Sequence, residues 1–410
     1  MKHGFLNTKK AARWMDHCAQ PGLTEASSQV VQTKVHSGNM KTAFLEEQNP
    51  EIPYVEQDEM RINDISDNAP IFVTIPSKTL TATLAECPDN WTECIFLGPK
   101  LKHVILDTPN FPSQVPIPPT TRCRLETTPT MGLGFFATSD MKMNDLIFAE
   151  RPLVVKPQAP PMQTSIFVGM SAEQQRLAMM AEYEKVLEFM IKRMIPENRA
   201  ALMALANSHT EDGSGPIHGV LRTNAFATSL GKDDGSGVSY SAVFDKLSRV
   251  NHSCVPNAVT KFDLASFSSS MCAIREIKTG EQIFIAYCDT GASTAARQRE
   301  LKPYGFECSC RRCTDPESDG LHQRIIKSMG PLNYYTPTSD HAAVFAESVK
   351  WMKTIEAAGL QILHSYETHI CAAMMASSKL GKMEDYLRYI QMRSEWNEAM
   401  HGKLLEHTML

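Results

Sequence analysis

Arg249-Val250-Asn251-His252-Ser253-Cys254-Val255-Pro256-Asn257 is the stretch on whose reading the rest of the chain depends. Amide donors and acceptors, an imidazole and a thiol follow one another in a run that propensity alone makes a surface turn. Its flanks are apolar, however, and burying such groups is costly unless each finds a partner. Two readings stand at this point: an ordinary Asn- and Pro-rich turn, or a structured polar or metal site within the fold.

Outward from this run, three strand-like pieces follow at 258–263, 270–275 and 282–287, the last ending Ile-Ala-Tyr287-Cys288-Asp289. A tyrosine closing a buried strand needs a partner for its hydroxyl or faces a cavity. The spacing then predicts a helix over 293–301, stopped by Pro303. Next comes Cys308-Ser309-Cys310-Arg311-Arg312-Cys313, whose CxCxxC spacing can present three thiolates to one tetrahedral zinc. Such a site needs a fourth ligand from elsewhere in the chain; three unpaired thiols on a loop are the other reading. From residue 321 to the end the pattern is helical, with Phe345, Val349, Met352 and Ile355 on one face and Gly359 as a stop.

Upstream of the run, 241–248 reads as a short helix leading into it, and glycine-, serine- and aspartate-rich loops at 211–215 and 232–237 bracket Arg222-Thr223-Asn224-Ala225-Phe226. Residues 158–208 read as a helical insertion. Ser171 and Gln174 fit a capping box there, and Tyr183, Val186, Leu187, Met190, Ile191 and Met194 share one face that reads as core packing. Residues 122–127 and 145–150 read as strands, with the glycine turn Gly132-Leu133-Gly134 between them. Glycines in such a turn let backbone approach a ligand closely, but the third glycine of a dinucleotide fingerprint is absent. Five prolines between 108 and 120 predict an extended linker at 107–121. Before it, 1–106 has mixed α/β signals: a helical pattern at 9–17, β-leaning runs at 71–75 and 94–97, and the single thiols Cys18, Cys87 and Cys94.

Composition bounds the function. The 410 residues suffice for two or three domains, and 42% hydrophobic with 21% charged residues describes an ordered soluble protein. A formal net charge of −5 gives no drive toward nucleic acid or an anionic membrane. The first residues lack the apolar run of a signal peptide, and nowhere do about 18 apolar residues run together. A nuclear or cytoplasmic location is therefore expected, where the 11 cysteines are free thiols or metal ligands rather than disulfides.

Taken as a set, GLG, NHSCxPN, a strand ending AYCD and a following GFxCxCxxC resemble the SET-domain protein lysine methyltransferases. The resemblance covers about 122–315, and the interrupting helical insertion is most similar to the split SET domains of the SET-and-MYND group. No cysteine lies between Cys123 and Cys254, so a MYND finger is expected to be missing. The resemblance implies an α+β fold of several small sheets with a knot-like C-terminal crossing. It implies a SET domain over 122–303, a post-SET zinc segment over 304–318 and a C-terminal helical domain over 319–410.

It further implies S-adenosyl-L-methionine as methyl donor, a structural Zn2+ and a protein substrate presenting a lysine from a histone or another protein. Nucleic acid and membrane are not implied, and a monomer is expected. By position, Gly132, Leu133, Gly134, Asn224, Asn251, His252, Tyr287 and Phe306 match residues that hold the donor. Tyr287 also matches the methyl-transfer tyrosine, and Phe226 and Tyr304 match aromatics of the lysine channel. Cys254 is implied as the fourth zinc ligand beside Cys308, Cys310 and Cys313. The rival expectations are a catalytically silent SET-fold binding module and a zinc-stabilised scaffold acting through its helical tail.

Overall fold

Small sheets and two groups of helices make up an α+β architecture in the computed structural model, which describes residues 70–77, 87–159, 169–228, 230, 238–330, 332 and 339–402. The helical pattern at 9–17, Cys18 and the whole loop at 232–237 lie outside these residues.

The largest sheet is built from both sides of the proline-rich segment. Strands β1 (Pro70–Ile75) and β2 (Thr92–Leu97) form an antiparallel hairpin, and β2 pairs in parallel with β6 (Val154–Pro157). β8 (Tyr240–Val243) and β7 (Phe226–Thr228) complete the order β1-β2-β6-β8-β7. Helix α1 (Pro99–Leu106) follows the hairpin and packs Leu101 and Ile105 into the core below it. The proline-rich segment is tied to the fold by hydrogen bonds, among them one from Arg151 to Ser113 O. Ser113 N donates to Ala265 O, and Val115 N donates to Asp89 Oδ2.

Strands β3 (Cys123–Thr128) and β4 (Gly132–Ala137) form the glycine hairpin. Gly132 turns it at φ 66°, where a Cβ would be strained. β5 (Leu146–Glu150) joins β10 (Ala258–Asp263) and β11 (Ser268–Ala273) in a three-stranded sheet, so the strand expected at 270–275 begins two residues earlier. Of the strand expected at 282–287, only β12 (Phe284–Ile285) is regular, and it pairs in parallel with β9 (Asn251–His252). Side chains cut this ladder short. Asn257 Oδ1 accepts from Phe284 N, and its Nδ2 donates to Gln282 O.

The insertion holds three helices: α2 (Ala172–Lys192), α3 (Pro196–Met203) and α4 (Pro216–Asn224). The α2 cap is as the sequence predicts: Ser171 Oγ accepts from Gln174 N, while Gln174 Oε1 accepts from Ser171 N. Such a cap is worth about 1 kcal/mol. Tyr183, Val186, Leu187, Met190 and Met194 pack with α4 and with Phe72, Ile95 and Val154 of the large sheet. At roughly 2 kcal/mol for each fully buried apolar side chain, this stripe is core. The helix expected at 241–248 is instead β8 followed by a 3-10 turn at Leu247–Arg249. Tyr-Ser-Ala-Val is paired on both edges by β6 and β7, and those ladders outweigh the local helical preference.

After β12 come α5 (Thr294–Leu301), capped by Ser293, a 3-10 turn at Lys302–Tyr304, and the short α6 (Arg311–Thr314). The tail is α7 (Ser318–Ser328), α8 (His341–Ala358), α9 (His364–Lys379) and α10 (Met383–His401). These helices share their own core of Ile325, Met352, Ile355, Tyr366, Ile370 and Trp396. α8 ends at Gly359, as expected, in the left-handed conformation. The tail is anchored on the sheets through Glu398, whose carboxylate accepts from Asn144 Nδ2 and whose carbonyl accepts from Lys261 Nζ. No helix among the described residues is long and apolar enough to cross a membrane.

Candidate active site and metal centre

The run at 249–257 is buried, not a surface turn. Asn251 is 2% exposed, His252 and Ser253 5%, and Cys254 and Asn257 0%. Partners answer the cost of that burial. Asn251 Nδ2 donates to Leu133 O at 3.1 Å, Ser253 Oγ accepts from Val255 N, and Asn257 holds the 282–284 backbone. The Asn251 bond fastens the glycine hairpin to β9. A Cβ on Gly134 would stand 2.8 Å from Asn251 Nδ2 and 2.5 Å from Gln282 Nε2, so only glycine allows β4 this close.

His252 is buried beside them. Its Nδ1 accepts from Tyr287 N at 3.0 Å, and its Nε2 lies 3.3 Å from Cys254 Sγ. Burial holds its pKa down to about 4, keeping the ring neutral. Around it stand three aromatic rings. Tyr287 is 5.1 Å from His252 and 5.1 Å from Tyr304 between ring centroids, and Phe306 is 6.1 Å from His252 and 6.4 Å from each tyrosine. Tyr287, 4% exposed, donates its hydroxyl to Val250 O. Tyr304 is 1% exposed, and its hydroxyl has no hydrogen-bond partner among the described residues. Burial pushes the Tyr304 phenol far above its usual range, so it stays neutral.

Two residues named from the sequence occupy different surroundings. Asn224, the last residue of α4, turns its Nδ2 to Ala206 O and Val220 O, leaving Oδ1 buried and without a partner among the described residues. Its backbone carbonyl accepts from Ser248 Oγ, which ties α4 to the turn before Asn251. Phe226, half-buried on β7, packs edge-on against Phe244 at 5.4 Å.

The four cysteines converge across 54 or more residues of chain. The sulfurs of Cys254, Cys308, Cys310 and Cys313 all lie within 4.8 Å of one another, with Cys254 3.9 Å from Cys308 and 3.5 Å from Cys313. Four sulfurs about 2.3 Å from one tetrahedral ion stand about 3.8 Å apart, so the spacing fits zinc. Charge fits as well. Hydrogen bonds from Cys254 and Cys308 hold the Cys310 thiol far below its usual range, while the bonds Cys308 makes with Cys254 and then Cys310 push its own thiol up. A soft dication is what lets four clustered thiols ionise together. The guanidinium of Arg297, 0% exposed, stands 3.6 Å from Cys313 Sγ and offsets the negative charge such a site carries.

Sequence reasoning missed the parts of α5 that build this centre. Gln298 clasps Cys308 twice, its Oε1 accepting from Cys308 N and its Nε2 donating to Cys308 O. Cys310 caps α6, its carbonyl accepting from Cys313 N and Thr314 N. The Val250 carbonyl that meets Tyr287 was equally hidden, since every residue has one.

Residues 132–288, from the glycine hairpin to the tyrosine strand, match the SET domain family model. The chain therefore carries a SET domain, and it resembles the SET-domain protein lysine methyltransferases. It is 27% identical over 165 residues to the N-lysine methyltransferase SMYD2 of Gallus gallus, a match covering 39% of this chain and 37% of that protein. With SMYD2 of Homo sapiens it is 34% identical over 92 residues, 22% of this chain and 21% of the relative. With the histone-lysine N-methyltransferase set5 of Schizosaccharomyces pombe it is 27% identical over 206 residues, 50% and 52% of the two chains. The matched stretches thus span at most about half of these relatives.

Proposed function

We propose that this protein is an S-adenosyl-L-methionine-dependent protein lysine N-methyltransferase whose SET domain is braced by a structural zinc. The observation that carries the reading is the meeting of Tyr287, Tyr304 and Phe306 around His252, with the Tyr304 hydroxyl left unpartnered in a buried setting. When bound, the donor supplies a methyl group on a sulfonium, which a neutral lysine amine displaces in line.

The residues supply what that transfer needs. Aromatic walls strip water from an incoming ammonium and so favour its neutral form. The Tyr287 hydroxyl, which donates to Val250 O, would meet a methyl group through weak C–H···O contacts to its oxygen. The Tyr304 hydroxyl is available to hold the amine on line, and alignment lowers the barrier by removing orientational freedom. On the donor side, Gly132, Leu133 and Gly134 with Asn251 form a backbone edge fixed by the Leu133–Asn251 hydrogen bond, and Phe306 offers a half-buried ring to the adenine. Cys254, Cys308, Cys310 and Cys313 would hold zinc, which ties β9 to the segment bearing Phe306.

Gly134→Ala tests the donor edge. The added methyl would overpack Asn251 at a cost of about 1–3 kcal/mol, and the expected result is a donor affinity roughly tenfold weaker by calorimetry. Unchanged affinity would remove this hairpin from the donor site.

The activity itself is tested with the purified full chain, methyl-labelled S-adenosylmethionine and a mixed histone and whole-lysate pool, followed by mass spectrometry. Label on a lysine nitrogen is expected. One observation favours the rival silent module: the Asn224 amide nitrogen is committed to Ala206 and Val220 rather than free for a ligand. Folded, zinc-loaded protein that binds no donor would decide for that rival.

A further inference from the structure

We infer that the His252 imidazole is a positioning residue that joins the four-cysteine centre to the backbone of Tyr287, rather than a group that faces the methyl donor. The inference rests on the zinc and methyl-transfer reading above for the meaning of the two ends it connects. Its own basis is the hydrogen-bond pattern around one ring.

The Tyr287 amide is an obligatory donor, and it points at His252 Nδ1 across 3.0 Å. A ring nitrogen that accepts carries no proton, so in the neutral imidazole the proton sits on Nε2. The tautomer is therefore set by the backbone. Nε2–H has Cys254 Sγ at 3.3 Å, while the other nearby sulfur, Cys288 Sγ, is 4.0 Å away. The ring thus donates to one of the four sulfurs that would hold the metal, the arrangement by which neighbours orient metal ligands and reduce charge on them.

The fold explains why a side chain has this task. The parallel ladder between β9 and β12 ends at the pair His252–Ile285, with Ser253 N donating to Ile285 O. Two residues further on, the Tyr287 amide meets the ring nitrogen where a continuing strand would have offered a carbonyl. Tyr287 is then held at three points: its amide by His252, its hydroxyl by Val250 O, and its ring by Tyr304 and Phe306. Two of these belong to β9 or the residue before it. A displacement of Cys254 would reach Tyr287 through one rigid ring.

Two substitutions separate the ends of this link. In His252→Asn, the side-chain oxygen can occupy the Nδ1 position and accept from Tyr287 N, but nothing donates to Cys254. In His252→Gln, the amide nitrogen can reach the Nε2 position and donate to Cys254, while the Tyr287 amide loses its acceptor. Each is made in the full chain with cobalt(II) in place of zinc for spectroscopy and with zinc for release and kinetics.

The expected results are opposite. His252→Asn should shift the thiolate-to-cobalt charge-transfer band and speed zinc loss to a chromogenic chelator roughly tenfold. His252→Gln should keep the band and the zinc but lower kcat about tenfold at an unchanged KM for the donor. If His252→Asn leaves both band and zinc release as in the parent, or if both variants raise the donor KM and spare the metal, the inference falls.

Histidine-selective 15N spectroscopy of the zinc-loaded parent protein tests the same point without a variant. The Nε2–H tautomer supports the inference, and the Nδ1–H tautomer overturns it. These metal and tautomer readouts remain decisive even if no methyl transfer is detected, a result that would sink the proposed activity alone.

Discussion

Cys310→Ser is expected to release the metal and to lower the melting midpoint of the SET region by about 10 °C. The free energy of binding zinc to thiolates is also folding free energy, and in zinc-folded peptides it reaches about 10 kcal/mol or more. Here only a part of it needs to be expressed. A loss of about 4 kcal/mol gives a shift of that size in a domain of some 200 residues. Serine keeps the volume and can hydrogen-bond but does not offer a soft anionic ligand, and the three remaining sulfurs leave one corner of the tetrahedron open. Two regions should loosen together, since Cys254 lies on the segment after β9 and Cys308 is clasped by Gln298 of α5. Colorimetric zinc content and a thermal melt check this, with Cys123→Ser as a control. Cys123 is half-buried in β3 and belongs to no metal-binding group among the described residues. Full zinc occupancy in Cys310→Ser would refute the four-cysteine centre.

Tyr287→Phe is expected to reduce methyl transfer roughly 100-fold while donor binding changes by no more than a few-fold. The magnitude is that of losing one preorganised polar group at a reacting centre. Phenylalanine preserves the ring and therefore its packing on His252, Tyr304 and Phe306. Only the hydroxyl is lost, together with its bond to Val250 O. Leaving that carbonyl unpaired in a buried position costs about 1–3 kcal/mol of stability, so a modest fall in the melting midpoint should accompany the rate loss. Single-turnover rates and calorimetric donor affinities separate the two effects. An unchanged rate would take Tyr287 out of the chemistry and leave it a packing residue.

What could be read from the sequence was whatever residue type and spacing determine locally. The cysteine spacing at 308–313, the polar run at 249–257 and the capping box at Ser171 each carry their meaning within a few residues. The pairing of distant pieces was not legible in the same way. Cys254 lies 54 residues from Cys308, and in the sequence only the resemblance links two sulfurs that stand 3.9 Å apart in the fold. β8 has a helical local pattern, and its four residues gain their strand character from neighbours on both edges. α4 was hidden by Gly219 and by the polar Thr223 and Asn224. Gly219 is needed because Asn207 packs where a Cβ would stand, within 2.9 Å. The side chain of Asn224 serves its own helix and the neighbouring Ala206 carbonyl, which no local pattern announces. Nor could the sequence have revealed that the imidazole of His252 turns to Cys254 and Tyr287.

The parallel pairing of β2 with β6 bears on how this protein can be shortened. A fragment beginning at Arg122, where the family-like motifs begin, would lack β1 and β2 and leave β6 at the sheet's edge. Val154 and Val155 are fully buried there, and Ile95 and Phe96 cover apolar surface on both faces of the sheet. Removing them would present unpaired N–H and C=O groups beside an uncovered apolar strip, the combination that recruits strands from other chains. Aggregation is the expected fate of such a fragment. Because the pairing joins residues about sixty positions apart, the hairpin must also wait for later parts of the chain during folding, so the open edge of β2 stays adhesive in the interval.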